Sequence, residues 1–219
     1  MKKKGFFITF EGIEGSGKTT QIKRVADWLR RKRRPLLLTR EPGGTPLADR
    51  IRSLLLNAKT KGLSAAMELF LYEVARRDHV STVIRPALKN GMIVLCDRFT
   101  DATTAYQGYG RGLPLKVVEV MNRLATRGIR PDLTFLFDLP VLTGLRRAKK
   151  RIKKLRKGSP TEDRFEQEKI EFHNRVREGY LTLARKEKRR FVVLNAGKPK
   201  QKIFADLCYE LGRAMEKVV

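Results

Sequence analysis

The sequence is poor in cysteine, tryptophan, histidine and acidic residues. Its two cysteines, Cys96 and Cys208, fall in a strand-like and a helix-like segment. That leaves no disulfide framework and no cysteine-based metal site, and it predicts packed thiols in a reducing cytoplasm. No apolar stretch is long enough to cross a bilayer, which excludes a membrane-spanning helix. The start is basic, but the apolar run after it breaks at Glu11, so no secretory leader is predicted. Acidic residues number 23 against 49 lysines and arginines, for a formal net charge of +26. Basic runs stand at Lys2–Lys4, Arg30–Arg34, Arg146–Lys157 and Arg185–Arg190. Such charge suits a polyanionic partner, a phosphorylated small substrate or a solvated lysine- and arginine-rich surface. The aromatics are not interleaved with these runs, as a stacking platform for single strands requires. Nucleic-acid binding is therefore compatible with the charge but not favoured by it.

With 219 residues, 41% of them hydrophobic, the chain predicts one α/β domain over residues 1–219. Five short, nearly all-apolar runs read as strands: Phe6–Phe10, Leu36–Thr39, Met92–Cys96, Leu133–Phe137 and Phe191–Leu194. Runs of this kind belong to a parallel sheet buried on both faces. Helical patterns between them predict Lys18–Arg33, Pro46–Asn57, Ser64–Lys89, Pro114–Thr126, Val141–Lys157, Glu162–Lys188 and Pro199–Lys217. Gly158-Ser159-Pro160 reads as the end of one helix, and Thr161-Glu-Asp as the start of the next. In such sheets ligands bind beyond the carboxyl ends of the strands, which points to the segments after Phe10, Thr39, Cys96 and Phe137.

The first of these segments is the most informative. Gly12, Ile13, Glu14, Gly15, Ser16, Gly17, Lys18 and Thr19 fit G-x-x-x-x-G-K-[ST], between a strand-like run and an amphipathic helix. Backbone amides of such a loop wrap phosphate oxygens, the helix N-terminus adds positive potential, and Lys18 adds a mobile charge. These residues, with Thr20, predict a nucleoside triphosphate site. Thr19 supplies a hydroxyl for Mg2+. Asp97, at the end of a strand beside the loop, is placed to hold the same ion through water. Arg98 next to it offers a planar fork for a second phosphate, and Arg50 and Arg52 follow the second strand. Together these suggest phosphoryl transfer to a phosphorylated acceptor rather than hydrolysis.

Four stretches, EGIEGSGKTT, TREPGGTPLADRIR, DRFTDATTAYQG and PDLTFLFDLP, resemble the thymidylate kinase family. The family's order is followed from Phe6 to about Gly212. The resemblance implies a P-loop nucleoside monophosphate kinase fold: a five-stranded parallel sheet flanked by helices, with a basic helical lid over about residues 144–163. It implies Mg2+-dependent transfer of the ATP γ-phosphoryl to dTMP, giving dTDP for dTTP biosynthesis, by a cytoplasmic homodimer. Glu14 matches a carboxylate near the acceptor sugar. Arg52 and Arg98 match arginines that grip the dTMP phosphate, with Glu41 and Pro42 alongside. Tyr72 matches a base-stacking aromatic, usually phenylalanine, and Arg76 a donor to a base oxygen. Thr103 and Gln107 fall where polar side chains meet the base, and Tyr106 where a ring crowds the 2′ position of the sugar. Ala102 replaces a common serine, and the lid is expanded between Arg151 and Asp163. The phosphate loop carries no arginine, so the resemblance assigns the catalytic arginine to the lid. Arg151 is the best match, Arg147 lies one turn before it, and Arg164 follows the lid. The rival reading is a nucleic-acid-stimulated P-loop ATPase that uses the basic surface.

Overall fold

Residues 5–57, 59–60, 62–155 and 164–216 are described by a computed structural model. Strands Phe6–Glu11 (β1), Leu36–Arg40 (β2), Ile93–Asp97 (β3), Leu133–Asp138 (β4) and Phe191–Asn195 (β5) pair in parallel, in the order β2-β3-β1-β4-β5. Every residue of the central strand β1 is buried, because helices cover both faces of the sheet. Around it lie Lys18–Arg31 (α1), Pro46–Leu56 (α2), Ala65–His79 (α3), Arg85–Lys89 (α4), Thr100–Thr103 (α5), Leu115–Thr126 (α6), Val141–Leu155 (α7), Ile170–Lys186 (α8) and Lys200–Glu216 (α9). Alternation along β1 divides the core. Phe6, Ile8 and Phe10 pack with Ile22, Val25 and Leu29 of α1 and Leu207 and Leu211 of α9. Phe7 packs on the opposite face with Val80, Ile84 and Phe99.

Local chemistry starts the helices where the polar residues stand. Thr45 Oγ1 accepts from the Ala48 N–H at 3.0 Å with Pro46 at the first helical position of α2, and Ser64 Oγ accepts from the Met67 N–H at 3.2 Å. The helix expected over Ser64–Lys89 is a single rod with a wider π turn at Val80–Ile84. Pro86 has no N–H to give, and the wider turn accommodates its ring. The expectation of one helix over Glu162–Lys188 is corrected. Phe165–Gln167 forms a single 3₁₀ turn, Glu168 and Lys169 are extended, and α8 begins at Ile170. The expected helix end at Gly158-Ser159-Pro160, the start at Thr161 and lid residues 156–163 lie outside the described residues.

Helical structure over Thr100–Gly110, where α5 runs into another wide turn at Thr104–Gly110, was not predicted. Its threonines, glycines and tyrosines are weak helix formers, so its conformation comes from packing against α8. Phe10 lies beside Asp97 in the register of β1 and β3. The loop after β1 and the turn after β3 therefore meet at the carboxyl edge of the sheet. Both cysteines are free thiols. Among the described residues, no helix is long and apolar enough to cross a membrane.

Candidate active site

The phosphate loop folds around its own lysine. Lys18 Nζ donates to the carbonyls of Gly12 at 2.8 Å and Ile13 at 2.9 Å and to Ser16 Oγ at 3.3 Å. Burial, and then the Arg98 cation, push its pKa down to about 8, against the pull of Asp97, Glu14 and Glu11. Gly15 has φ +69°, and a Cβ there would stand 2.1 Å from the Gly144 carbonyl oxygen. The loop thus needs glycine both for its left-handed turn and for the approach of α7. Thr19 Oγ1 donates to Asp97 Oδ2 at 3.0 Å on the exposed lip of the loop. A hydroxyl and a carboxylate at this spot are hard oxygen donors, the set that suits Mg2+ shared with phosphates and water. The donor set fits that ion.

Arg98 stands where the turn after β3 crosses this edge. It has φ +70°, unusual for a residue other than glycine, and is held there by its N–H to the Phe10 carbonyl at 3.1 Å and by Cys96 Sγ donating to its own carbonyl. Its guanidinium donates to Glu14 Oε1 at 2.9 Å and to the Tyr180 hydroxyl at 3.2 Å, and lies 4.9 Å from the Tyr106 ring centre. The Tyr106 hydroxyl also donates to Glu14 Oε1. Burial would raise the Glu14 pKa, but the approach of His173, the Arg98 and Lys18 cations and the Tyr106 hydroxyl hold it far below the usual carboxylate range. Glu14 is a fixed anion joining the phosphate loop to Arg98 and Tyr106.

A cleft of about 970 Å³ runs from Glu14–Thr20 to Tyr72, Arg76, Thr103, Tyr106 and Gln107, with Glu41, Pro42, Arg52, Asp97, Arg98, Arg147 and Arg151 along it. Gly12 and Ile13 lie behind the loop as the carbonyl partners of Lys18. Arg52 Nη1 donates to the Pro42 carbonyl at 2.9 Å. Arg76 is deeper than its motif suggests, at 2% exposure. Its five N–H groups go to Glu41, Glu73, Asn122, the Phe99 carbonyl and Thr103 at 2.5–3.2 Å. His79 Nδ1 lies 3.0 Å from the other oxygen of Glu41, fixing the turn that carries Pro42. Gln107 Nε2 donates to Glu68 Oε1 at 2.7 Å.

Arg147 and Arg151 share the cleft-facing side of α7, as their spacing predicts. Arg147 Nη1 donates to the Ala196 carbonyl at 3.2 Å and Arg151 Nη2 to Glu166 Oε1 at 3.3 Å. Arg164 is tied elsewhere. Its Nε donates to the Leu55 carbonyl and its Nη2 to Glu68 at 2.7 Å, at the far end of α2 and α3. Five further residues of the site escape sequence reasoning: Glu11, Glu68, Glu166, His173 and Tyr180. His173 and Tyr180 lie two turns apart on α8, the one signal that both face the same way. The apolar stripe of Phe172, Val176 and Tyr180 instead makes that face read as core.

The family model described as thymidylate kinase matches residues 10–207. The thymidylate kinase of Geotalea daltonii is 55% identical over 193 residues, covering 88% of this chain and 90% of that protein. The thymidylate kinase of Desulfosudis oleivorans is 51% identical over 208 residues, covering 94% and 96%. Among solved structures, the thymidylate kinase of Ehrlichia chaffeensis superposes with a TM-score of 0.75 at 34% identity, covering 95% of this chain and 99% of that one.

Proposed function

Since the chain belongs to the thymidylate kinase family, we propose that its cleft binds ATP over Gly12–Thr20 and dTMP between Arg98 and Gln107, as one unit over residues 1–219. The enzyme phosphorylates dTMP to dTDP in nucleotide biosynthesis, with ATP as phosphoryl donor and Mg2+ as cofactor. The observation that carries the residue assignment is the position of Arg98, between the phosphate loop and the tyrosines of the acceptor end. Lys18 exchanges its carbonyl partners for phosphate oxygens and stabilises charge as the phosphoryl group moves. Arg98 and Arg52 hold the acceptor phosphate so that its oxygen approaches in line. Thr19 and Asp97 would hold Mg2+. That ion, when bound, neutralises charge on the β- and γ-phosphate oxygens. Arg151, with Arg147 beside it, supplies the planar cation that the loop lacks.

At the base, Tyr72 stacks and Tyr106 crowds the sugar 2′ position. Gln107 Oε1 remains to accept from a base N–H, since Nε2 is given to Glu68. Arg76 reaches a base oxygen by sharing an Nη2 hydrogen now given to Thr103 or the Phe99 carbonyl. We assign the enzyme to a reducing cytoplasm, which its two free thiols suit. Exposed Phe70 and Val74 of α3, with Val117, Val120 and Leu124 of α6, form an apolar face at helical spacing that suits a second copy of the chain.

Arg98→Ala tests the assignment of the two ends. Loss of hydrogen bonds to a charged group is worth roughly 1.5–3 kcal/mol, so kcat/KM for dTMP should fall about ten- to hundredfold with little change in ATP affinity. Weakened ATP binding with intact dTMP kinetics would reverse the two ends.

A further inference from the structure

His173 is 1% exposed on the face of α8 that meets the site, and its Nδ1 lies 3.6 Å from Glu14 Oε2. At that separation the contact is electrostatic rather than a formed hydrogen bond. Glu14 Oε1 is engaged by Arg98 and Tyr106. Among the described residues, Glu14 Oε2 and His173 Nε2 are both buried without a hydrogen-bond partner. Unpaired buried polar atoms are rare and call for a reason. Here one carboxylate oxygen is tied down by two donors, while the other keeps its acceptor capacity and is flanked by an imidazole. His173 also packs edge-on to Phe172, with ring centres 5.5 Å apart, so the ring has little freedom to turn away. Tyr180, two turns later on α8, donates to Glu11 Oε2 at 2.8 Å and accepts from Arg98. The same helix face thus touches both carboxylates flanking the phosphate loop.

We propose that His173 is a positioning residue for the reaction: it presents its Nδ1–H toward the buried Glu14 Oε2 and so holds the carboxylate in the orientation in which its cleft-lining side meets the sugar of the bound nucleoside monophosphate. This deepens the acceptor assignment above and rests on it. His173 does not touch the nucleotide and acts through Glu14. Its effect therefore belongs to the acceptor half of the kinetics and vanishes when Glu14 is absent.

The test is a double-mutant cycle on the full chain with ATP, Mg2+ and dTMP. His173→Asn keeps an amide donor near Nδ1, and His173→Leu is of similar size without one. His173→Phe, which keeps the ring's bulk, stands in should the leucine disturb packing. The expected result is a fall in kcat/KM for dTMP of about tenfold in the Leu or Phe variant, most of it recovered in Asn, with KM for ATP nearly unchanged. In a Glu14→Ala background the same His173 changes should add nothing. Equal factors in both backgrounds, or a leucine variant as active as the asparagine one, would overturn the inference and leave His173 as packing. A parent that forms no ADP in response to dTMP overturns the acceptor assignment and this inference with it, whereas dTMP turnover with additive effects overturns this inference alone.

Discussion

Glu11 closes β1 with its carboxyl enclosed, accepting from the Phe99 N–H at 2.7 Å and the Tyr180 hydroxyl at 2.8 Å. Burial, and then the Asp101 carboxylate, raise its pKa from 4.5 to about 8, although Arg98, Tyr180 and Phe99 pull the other way. Between those values the folded chain keeps a proton that the unfolded chain releases. The group's stabilising contribution is therefore complete below 4.5 and is lost as pH rises through about 8. Glu11→Gln should remove that loss, so its Tm should rise relative to the parent's on going from about pH 5 to about pH 8. Parallel Tm curves for the two proteins would show that Glu11 is not the group responsible. That Lys18, Asp97 and Arg98 share one edge was legible in the sequence because each follows a strand at a spacing that points to phosphate chemistry, whereas Glu14 was picked out only by the family resemblance. Glu11 was not, because its task depends on Tyr180, 169 residues further along the chain. The depth of Arg76 was likewise hidden, since Glu41 and Asn122 reach it from two segments outside its own helix.

Strands and most helices were legible for a plain reason: burial on both faces leaves apolar runs, and burial on one leaves a stripe. Thr100–Gly110 escaped because packing against α8 outweighs its weak helical propensity. Phe165–Gln167 was expected within one long helix and is a 3₁₀ turn instead, because Glu168 and Lys169 are extended before α8 begins. The seat of α7 on the phosphate loop is equally a property of paired elements. A Cβ at Gly144 would stand 2.5 Å from the Glu14 carbonyl oxygen and 3.0 Å from Ile13 Cδ1, just as one at Gly15 would meet Gly144. Alanine is the better helix former by about 1 kcal/mol, so propensity alone expects Gly144→Ala to stabilise. The packing argument expects the opposite. Overpacking costs typically 1–3 kcal/mol, and displacement of α7 should weaken ATP binding about five- to hundredfold while dTMP affinity changes much less. Calorimetric titration of a non-hydrolysable ATP analogue against the variant checks this. Unchanged affinity with a raised Tm would mean that α7 shifts freely from the loop.

A net charge of +26 describes the whole molecule less well than its pairings do. Arg76, Arg98, Arg111, Arg164 and Arg190 are spent on carboxylates inside the protein. Arg190 alone binds both Asp101 oxygens and Thr134, joining the start of β5 to α5. These pairings leave the excess of 49 cations over 23 carboxylates in place, and an excess of one sign attracts polyanions without choosing a nucleic acid among them. The apolar face of α3 and α6 speaks for self-association instead. The account expects a dimer by sedimentation equilibrium, and a monomer for Phe70→Glu or Leu124→Glu, since a buried unpaired carboxylate is costly. A parent that sediments as a monomer, or glutamate variants that still dimerise, would remove that face from consideration. The central claim, that ATP and dTMP meet in one cleft, is tested most directly by coupled measurement of ADP formation from ATP and Mg2+. The acceptors are dTMP, other nucleoside monophosphates or none, each with and without single- and double-stranded DNA. The account predicts ADP formation that depends on dTMP, rises with its concentration to saturation and is indifferent to DNA. ATP turnover that ignores dTMP and increases with DNA would contradict it.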